Sequence, residues 1–393
     1  MNIATELHVV HVITNLDSGG AQAMMIRLVN EMRRSGVNSA VISLMPRGEF
    51  SHILDGMHIP VFYCDLQGLF TLPFAARRLM RHVARLRPLL IQSWLPHADF
   101  LSSLVGLALK RPVVWNIRNS SPGAGPGPLS LIYRLCAKLS WIVPRAIICC
   151  ASAARKAYIE YGYCGKTMIV VNNGIRARDY CREFEPTRPD HWREELDIPK
   201  GVFVISCIAR YHGQKGHSRL IAAAKIAAKE CPNIYFVLAG RGIDWGNAAL
   251  SDEINLHSLA DRFKLLGMID NVPALYSASN VSVLPSDSEG FPNVIVESMA
   301  CGIPCISTDA GDAAEIVSDT GFVVRCGSPE ALAGAMIRAY KMPNDELARL
   351  GARARSRAIG KYDISRSAWL YRRVYEFVLR RKLPVKPGAE NNV

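Results

Sequence analysis

No stretch of the chain reaches the run of about eighteen uncharged apolar residues that a membrane-spanning helix requires. The nearest candidate, residues 129–151, is interrupted by Arg134, Lys138 and Arg145. The eleven cysteines include no CxxC pair and no His/Cys cluster at zinc spacing, so no metal site is expected. Several sit in apolar runs (Cys207, Cys301, Cys305), where reduced core thiols of a cytosolic protein belong. The opening segment MNIATELHVVHVIT lacks a basic n-region and a small-residue cleavage site, and reads as a first strand rather than a signal peptide. There is no GxGxxG. The nearest approach, AGRGIDWG at residues 239–246, has the wrong spacing, and no acidic residue stands in a first βαβ unit to read a ribose, which argues against a dinucleotide oxidoreductase. No aromatic-rich basic strand or nucleic-acid motif occurs either, so no nucleic-acid partner is expected.

Acid is scarce in one half. Residues 1–180 carry 20 Lys+Arg against 9 Asp+Glu, whereas residues 181–393 carry 27 against 25. An excess confined to one half points to an anionic partner for that half. Within it, LPFAARRLMRHVARLRP at residues 72–88 spaces Arg77, Arg78, Arg81 and Arg85 at near-helical intervals among Leu72, Phe74, Leu79, Met80, Val83 and Leu86. Such a helix either lies on anionic lipid headgroups or is a surface helix with solvated arginines; composition does not choose.

At 393 residues, 49% of them hydrophobic, the chain is long enough for two cores. Short apolar runs alternate with amphipathic helical patterns along nearly its whole length, the signature of parallel sheets covered by helices. Strands are expected at residues 8–14, 39–44, 89–93, 113–117, 146–150 and 167–171. A second series is expected at 202–208, 234–239, 264–266, 281–285, 304–308 and 322–324. A helix over residues 21–35 ends at Gly36, and another over residues 218–231 follows the first strand of the second series. The polar segment 176–200, with Pro186, Pro189 and Pro199, suits an interdomain connection. The expected division is therefore 1–175 and 176–364, followed by a helix over 365–382 that crosses back to the first domain and a disordered tail over 383–393.

The richest segment is SDSEGFPNVIVESMACGIPCIST, residues 286–308. A strand ends before it, Glu289 and Gly290 lie in a loop, and Pro292 is expected to open a helix at its N1 position, with Gly302 and Pro304 stopping it. The turn Pro292–Asn293–Val294 would offer unpaired N–H groups and a partial positive charge to phosphate oxygens. Glu289 and Glu297 could each take a sugar diol, since a carboxylate accepts two hydroxyls at once; capping and surface charge are the plain alternative. A second segment, ARYHGQKGH after the strand at 202–208, brackets a glycine turn with Arg210 and Lys215. Cations at the carboxyl end of a parallel strand lie where doubly wound sheets bind ligands.

These residues resemble a family. SEGFPNVIVESMACG is similar to the EGFxxxxxE signature of retaining family-4 glycosyltransferases with the GT-B fold. ARYHGQKGH resembles their Arg-x4-Lys-Gly segment, and LDSGGAQAMMIRLVNEM their N-terminal glycine loop and helix. VVNNGI and LLGMIDNVPALYSASNVSVLPS follow in the family's order, so the likeness covers residues 8–360. It implies two Rossmann-like α/β domains facing across a cleft, and sugar transfer from a nucleotide-sugar without metal or other cofactor. It further implies that Arg210 and Lys215 hold the donor diphosphate, that Glu297 accepts from the ribose, and that Glu289 accepts from the transferred sugar. Gly19 and Gly20 would let backbone approach the donor phosphate, and Gly240, Gly242 and Gly267 would border the base pocket. His97 falls where the family often has a histidine near the sugar, though a packed histidine is equally in keeping; Arg118 and Asn119 are weaker candidates.

The expected donor is a UDP-sugar. The expected acceptor is a lipid-linked oligosaccharide or surface polysaccharide at the cytoplasmic membrane face. Rival readings are a nucleotide-sugar epimerase on the same fold and a catalytically inactive nucleotide-sugar-binding regulator. Asp287-Ser288-Glu289 looks like a metal-binding triplet but lies inside the EGF segment. The Gly/Pro-rich stretch at residues 119–128 is either a lid or a connection.

Overall fold

The structure is a computed structural model that describes residues 8–123, 127–181, 189–380 and 383. The expectations for residues 1–7, for Pro186 and for the tail beyond Leu383 lie outside the described residues, as do residues 124–126 of the Gly/Pro-rich stretch. The chain divides into two compact units, residues 1–174 with 364–393, and residues 175–363.

The first unit holds a parallel sheet of β1 (Val9–Ile13), β2 (Ser39–Ser43), β3 (Val61–Tyr63), β4 (Leu90–Trp94), β5 (Val113–Ile117), β6 (Pro144–Cys149) and β7 (Met168–Val170). Their order is β3-β2-β1-β4-β5-β6-β7. β1, β2, β4 and β5 are buried at every position, as strands covered by helices on both faces must be. Alternate residues feed two cores. Val9 and Ile13 pack with Met25 and Val29 of the helix Gly20–Arg34 and with Tyr371 and Tyr375 of the last helix. Val10 and Val12 pack with Leu79, Leu101 and Tyr133 of three helices on the opposite face. Tyr371 and Tyr375 lie on the helix Ile364–Leu379, which belongs to the first unit.

In the second unit β8 (Phe203–Ile208), β9 (Ile234–Ala239), β10 (Phe263–Leu265), β11 (Val281–Leu284), β12 (Cys305–Thr308) and β13 (Phe322–Val324) form a parallel sheet ordered β10-β9-β8-β11-β12-β13. Both units are thus doubly wound α/β folds. Strand order reverses between β1 and β4 in one and between β8 and β11 in the other, where β1 registers Ile13 with Trp94 and β11 registers Ser282 with Ser206. At such a reversal the connecting helices leave on opposite faces, opening a crevice at the carboxyl ends of the two strands.

Two local expectations need correction. The strand β3 escaped the sequence reading because three residues of a short run, VFY, carry no periodicity. Pro292 is the N-cap, with ψ 87°, and the helix begins at Asn293 rather than at the proline. Among the described residues no helix is long and apolar enough to cross a membrane.

Candidate active site

The second unit's reversal gathers most of the expected residues. Lys215 follows β8 in a short 3-10 turn, Gly213–Lys215, that is closed by Gly216 in the left-handed region at φ 70°. Only glycine fits there on two counts, since a Cβ at Gly216 would also collide with the carbonyl oxygen of Pro285 at the end of the neighbouring β11. The close approach lays the Lys215 turn directly on the loop that carries Glu289.

The contact that results is an ion pair. Lys215 Nζ donates to Glu289 Oε1 over 2.6 Å, with the two side chains 24% and 11% exposed. Ser286 Oγ donates to the same carboxylate oxygen at 2.7 Å. Around them the two loops are pinned by the Asp287 N–H donating to Gln214 O at 2.9 Å and by an Arg219–Asp287 pair at 2.5 Å. From the other side Thr308 Oγ1, at the end of β12, donates to Ser286 O at 2.5 Å, and Gly311 approaches the Glu289 carbonyl so closely that a Cβ would clash. Glu289 is therefore held by three elements, and a cation and a carboxylate face each other at the mouth of the reversal. Ser286, Gly216 and Thr308 are supporting residues that motif reading does not single out, and Asp287 enters it only as part of a metal-like triplet. All four lie inside the quoted segments, but the contacts of Asp287, Gly216 and Thr308 depend on a neighbouring strand's loop.

Arg210 also follows β8 and is exposed, with no hydrogen bond or ion pair among the described residues. It is near the same sheet edge without being drawn into the Lys215–Glu289 pair. Glu297 is 9% exposed, one and a half turns into the helix Asn293–Ala300. That helix is anchored by Tyr276 Oη donating to Val294 O at 3.0 Å and by Ser282 Oγ donating to Ser298 Oγ at 2.9 Å. His217, just past Lys215, is buried, and burial and then the Lys215 charge bring its pKa down to about 4, so the imidazole is neutral and adds no charge.

Gly240 and Gly242 have φ of 142° and 74°, and a Cβ at Gly240 would strike Ala209 O, so backbone geometry alone demands glycine. Gly267, at φ 67°, accepts from the Gly240 N–H at 2.7 Å and ties the loops after β9 and β10 together. In the first unit Gly19 and Gly20 follow β1, and His97 follows β4, again at neighbouring strand ends. Gly19 is different in kind. Its φ of −175° is open to any residue, and an added Cβ would meet only the end of the Gln22 side chain. His97 is half-buried and held neutral by burial. It opens the helix Pro96–Ala108 after Leu95, a non-glycine residue at φ 75°, and backbone strain of this kind concentrates at working sites.

Arg118 is committed inside the first unit. It donates to Asn173 Oδ1 and to Tyr371 Oη, and its guanidinium lies 4.9 Å from the centre of the Trp94 ring. Asn119 likewise donates to Tyr133 Oη at 2.8 Å.

Two doubly wound units, each with candidate residues at its strand-order reversal, make up the architecture of the GT-B fold. Residues 18–178 match Glycosyltransferase Family 4 and residues 189–357 match Glycosyl transferases group 1, and the chain belongs to this family. Among its relatives, N-acetyl-alpha-D-glucosaminyl L-malate synthase of Bacillus anthracis is 36% identical over 32% of this chain and 33% of that protein. The lipopolysaccharide core biosynthesis mannosyltransferase LpsB of Rhizobium meliloti is 27% identical over 54% of this chain and 61% of its own length. The chain thus spans less than two thirds of these two relatives. The capsular polysaccharide biosynthesis glycosyltransferase CapM of Staphylococcus aureus is 24% identical over 80% of this chain and 81% of its own. The crystal structure of Anabaena Alr3699/HepE in complex with UDP shares the fold at a TM-score of 0.81, with 22% identity over 93% of this chain and 98% of the other.

Proposed function

We propose that the protein transfers a sugar from a UDP-sugar, with retention of anomeric configuration and without a metal, to a hydroxyl of a lipid-linked oligosaccharide or surface polysaccharide. The observation that carries this reading is the Lys215–Glu289 pair of 2.6 Å at the β8/β11 reversal. Lys215 and Arg210, both following β8, would take diphosphate oxygens, and the N-terminus of the helix Asn293–Ala300 would add a third positive pole. Glu297 would receive the ribose hydroxyls and Glu289 those of the sugar. Gly19 is in keeping with the same reading from the first unit: it caps the helix Gly20–Arg34, a position that favours glycine, and leaves room for close approach of a ligand.

In the reaction the bond from the anomeric carbon to the diphosphate oxygen breaks, and a bond to the acceptor oxygen forms on the same face. The acceptor's proton passes to the departing diphosphate, so no protein base is assigned. Charge accumulating on the diphosphate would be offset by Lys215 and Arg210, a contribution on the order of several kcal/mol once both are engaged by the bound donor.

The acceptor class follows the relatives: LpsB and CapM are named for lipopolysaccharide core and capsular polysaccharide biosynthesis. An acceptor of that kind calls for work at the cytoplasmic membrane face, with the arginines of the helix Leu72–Leu86 meeting anionic lipid. In the structure Leu79 and Val83 of that helix enter the core and Arg78 pairs with Asp65, leaving Arg77, Arg81 and Phe74 exposed.

A thermal-shift series with UDP, GDP, ADP and TDP in the presence of a chelator tests the donor reading. At a hundredfold excess over Kd the true ligand adds roughly 2.7 kcal/mol. Stabilisation by UDP alone among the four, unaffected by the chelator, is expected. Equal response to all four, or a response that the chelator abolishes, would sink the UDP or the metal-free part of the reading. NMR of the first-formed product decides retention.

A further inference from the structure

On one face of the first unit's sheet, the helix Pro128–Leu139 sends Tyr133, Cys136 and Ala137 into the core. Its opposite side is not polar. Leu131 is 58% exposed and Leu135 36%, and just past the helix Trp141 is 61% and Ile142 80% exposed. Trp141 Nε1 donates to the carbonyl of Gly162 at 3.1 Å, which fixes the ring in the open with its one polar atom already satisfied. Leu131, Leu135 and Trp141, together with Arg134, Lys138 and Tyr161, border an open groove of about 940 Å³. A contiguous apolar surface of this kind marks an interaction site, because scattered single residues, not clusters, are what a monomer's surface normally shows.

The charge around it is mostly positive, the exposed Glu160 beside Tyr161 being an acidic exception. From Phe100 to Ile159 the sequence contains no Asp or Glu and eight Lys and Arg. Arg134 and Lys138 have no ion-pair partner among the described residues. The neighbouring helices of the same layer continue the pattern, with Leu104 and Leu107 exposed ahead of Lys110, and Phe74 exposed beside Arg77.

We propose that this face docks on an anionic lipid bilayer, with Leu131, Trp141 and Ile142 entering the headgroup–acyl boundary and Arg134 and Lys138 meeting lipid phosphates. The chemistry selects this occupant. An indole with its N–H internally satisfied beside an exposed isoleucine suits the boundary between hydrocarbon and water. Long cationic stems can lie along apolar surface and place their charges at phosphate level. The inference extends the lipid-side acceptor reading and rests on it for its purpose, and it moves the apolar centre of the contact away from the helix Leu72–Leu86, whose own apolar stripe is spent on the core.

Co-flotation of the full chain with vesicles tests it without recourse to turnover. Native protein is expected to float with vesicles of phosphatidylglycerol and phosphatidylcholine in equal parts and to stay behind with phosphatidylcholine alone. Leu131→Glu combined with Ile142→Glu should lower partitioning at least about tenfold, and Arg134→Glu combined with Lys138→Glu should do the same with a weaker salt dependence. All four positions are exposed, so melting temperature and UDP binding should hold; should a Glu variant melt early, Arg134→Gln with Lys138→Gln serves instead. Undiminished flotation of both double variants overturns the proposal. So does a lipid-free native dimer that the Leu131/Ile142 variant converts to monomer, which would assign the face to a second copy. Absence of UDP binding by a native chain that floats would remove the enzymatic reading and leave the lipid surface standing.

Discussion

The ammonium of Lys215 and the carboxylate of Glu289 are 2.6 Å apart although 74 residues separate them in the chain. Each is the other's counter-charge, and on the proposed reading a donor diphosphate would draw Lys215 away from Glu289, freeing the carboxylate for hydroxyls. The two residues should therefore fail differently. Lys215→Ala is expected to weaken UDP binding about tenfold or more, the usual size of one charge-assisted hydrogen bond. Glu289→Gln keeps the shape and should leave the UDP Kd within about threefold while transfer falls about a hundredfold, an effect on the order of one lost electrostatic contact to the transition state. Calorimetry with UDP beside steady-state kinetics separates the two. Equal effects of both variants on Kd alone would make the pair a structural clamp.

Gly216 and Gly19 make a matched contrast. Gly216→Ala strains a left-handed residue and forces the new methyl against Pro285 O, so it should cost more than about 1 kcal/mol and separate the Lys215 and Glu289 loops. Gly19→Ala meets neither obstacle; it loses a favoured N-cap and displaces the Gln22 amide, so it should cost about 1 kcal/mol or less while lowering affinity for the nucleotide-sugar. Thermal melts with and without UDP-glucose read both. A Gly19→Ala protein that melts like the native chain and binds donor normally would deny Gly19 its assigned role.

Much of this site is local and therefore legible. The loop before Asn293, the glycine turn at Gly216 and the strands feeding them are each marked within a dozen residues by turn formers and short apolar runs. Three kinds of feature are not. The strand β3 is too short to show a period. The partnership of Lys215 with Glu289, or of Thr308 with Ser286, depends on which strand lies next to which, and that order is set by topology. And an apolar residue does not announce its side: Leu79 and Leu131 look alike in sequence, yet the first is buried and the second 58% exposed. For that reason the sequence of the helix over residues 72–88 admits both a lipid-facing and a solvated-surface reading, and the more exposed apolar set at residues 131–142 carries no signal that singles it out.

Tyr371 illustrates the long-range class. Its hydroxyl accepts from Asn116 Nδ2 at 2.8 Å and from Arg118, and its ring stacks on Trp94 at 6.3 Å. These partners lie on β4 and at β5, so the last helix is joined to the first unit's sheet through one fully buried side chain. Tyr371→Phe keeps the ring and strands two donors, at a cost of about 1–3 kcal/mol. Urea unfolding followed by tryptophan fluorescence should show the midpoint lowered with an unchanged slope. A midpoint that does not move would mean that packing alone holds the helix.

Asp99 should make the first unit sensitive to alkali. The side chain is 4% exposed, accepts from Ser93 Oγ at 2.6 Å and lies one turn into the helix that His97 opens. Burial pushes its pKa from 3.8 up to about 8, outweighing the hydrogen bonds from Ser93 and the Asn116 backbone that favour the anion. The folded state then holds a proton that the unfolded state has released. Stability from this group is present below the unfolded value and is lost progressively as pH rises towards about 8. Asp99→Asn has no proton to lose. The stability of the variant relative to native should rise by up to about 1.4 kcal/mol per pH unit across that window and level off above it. Urea unfolding of both proteins at a series of pH values from about 5 to about 9 measures the difference. A gap independent of pH would mean that Asp99 is ionised in the folded protein and that its hydrogen bonds, not its burial, decide its charge.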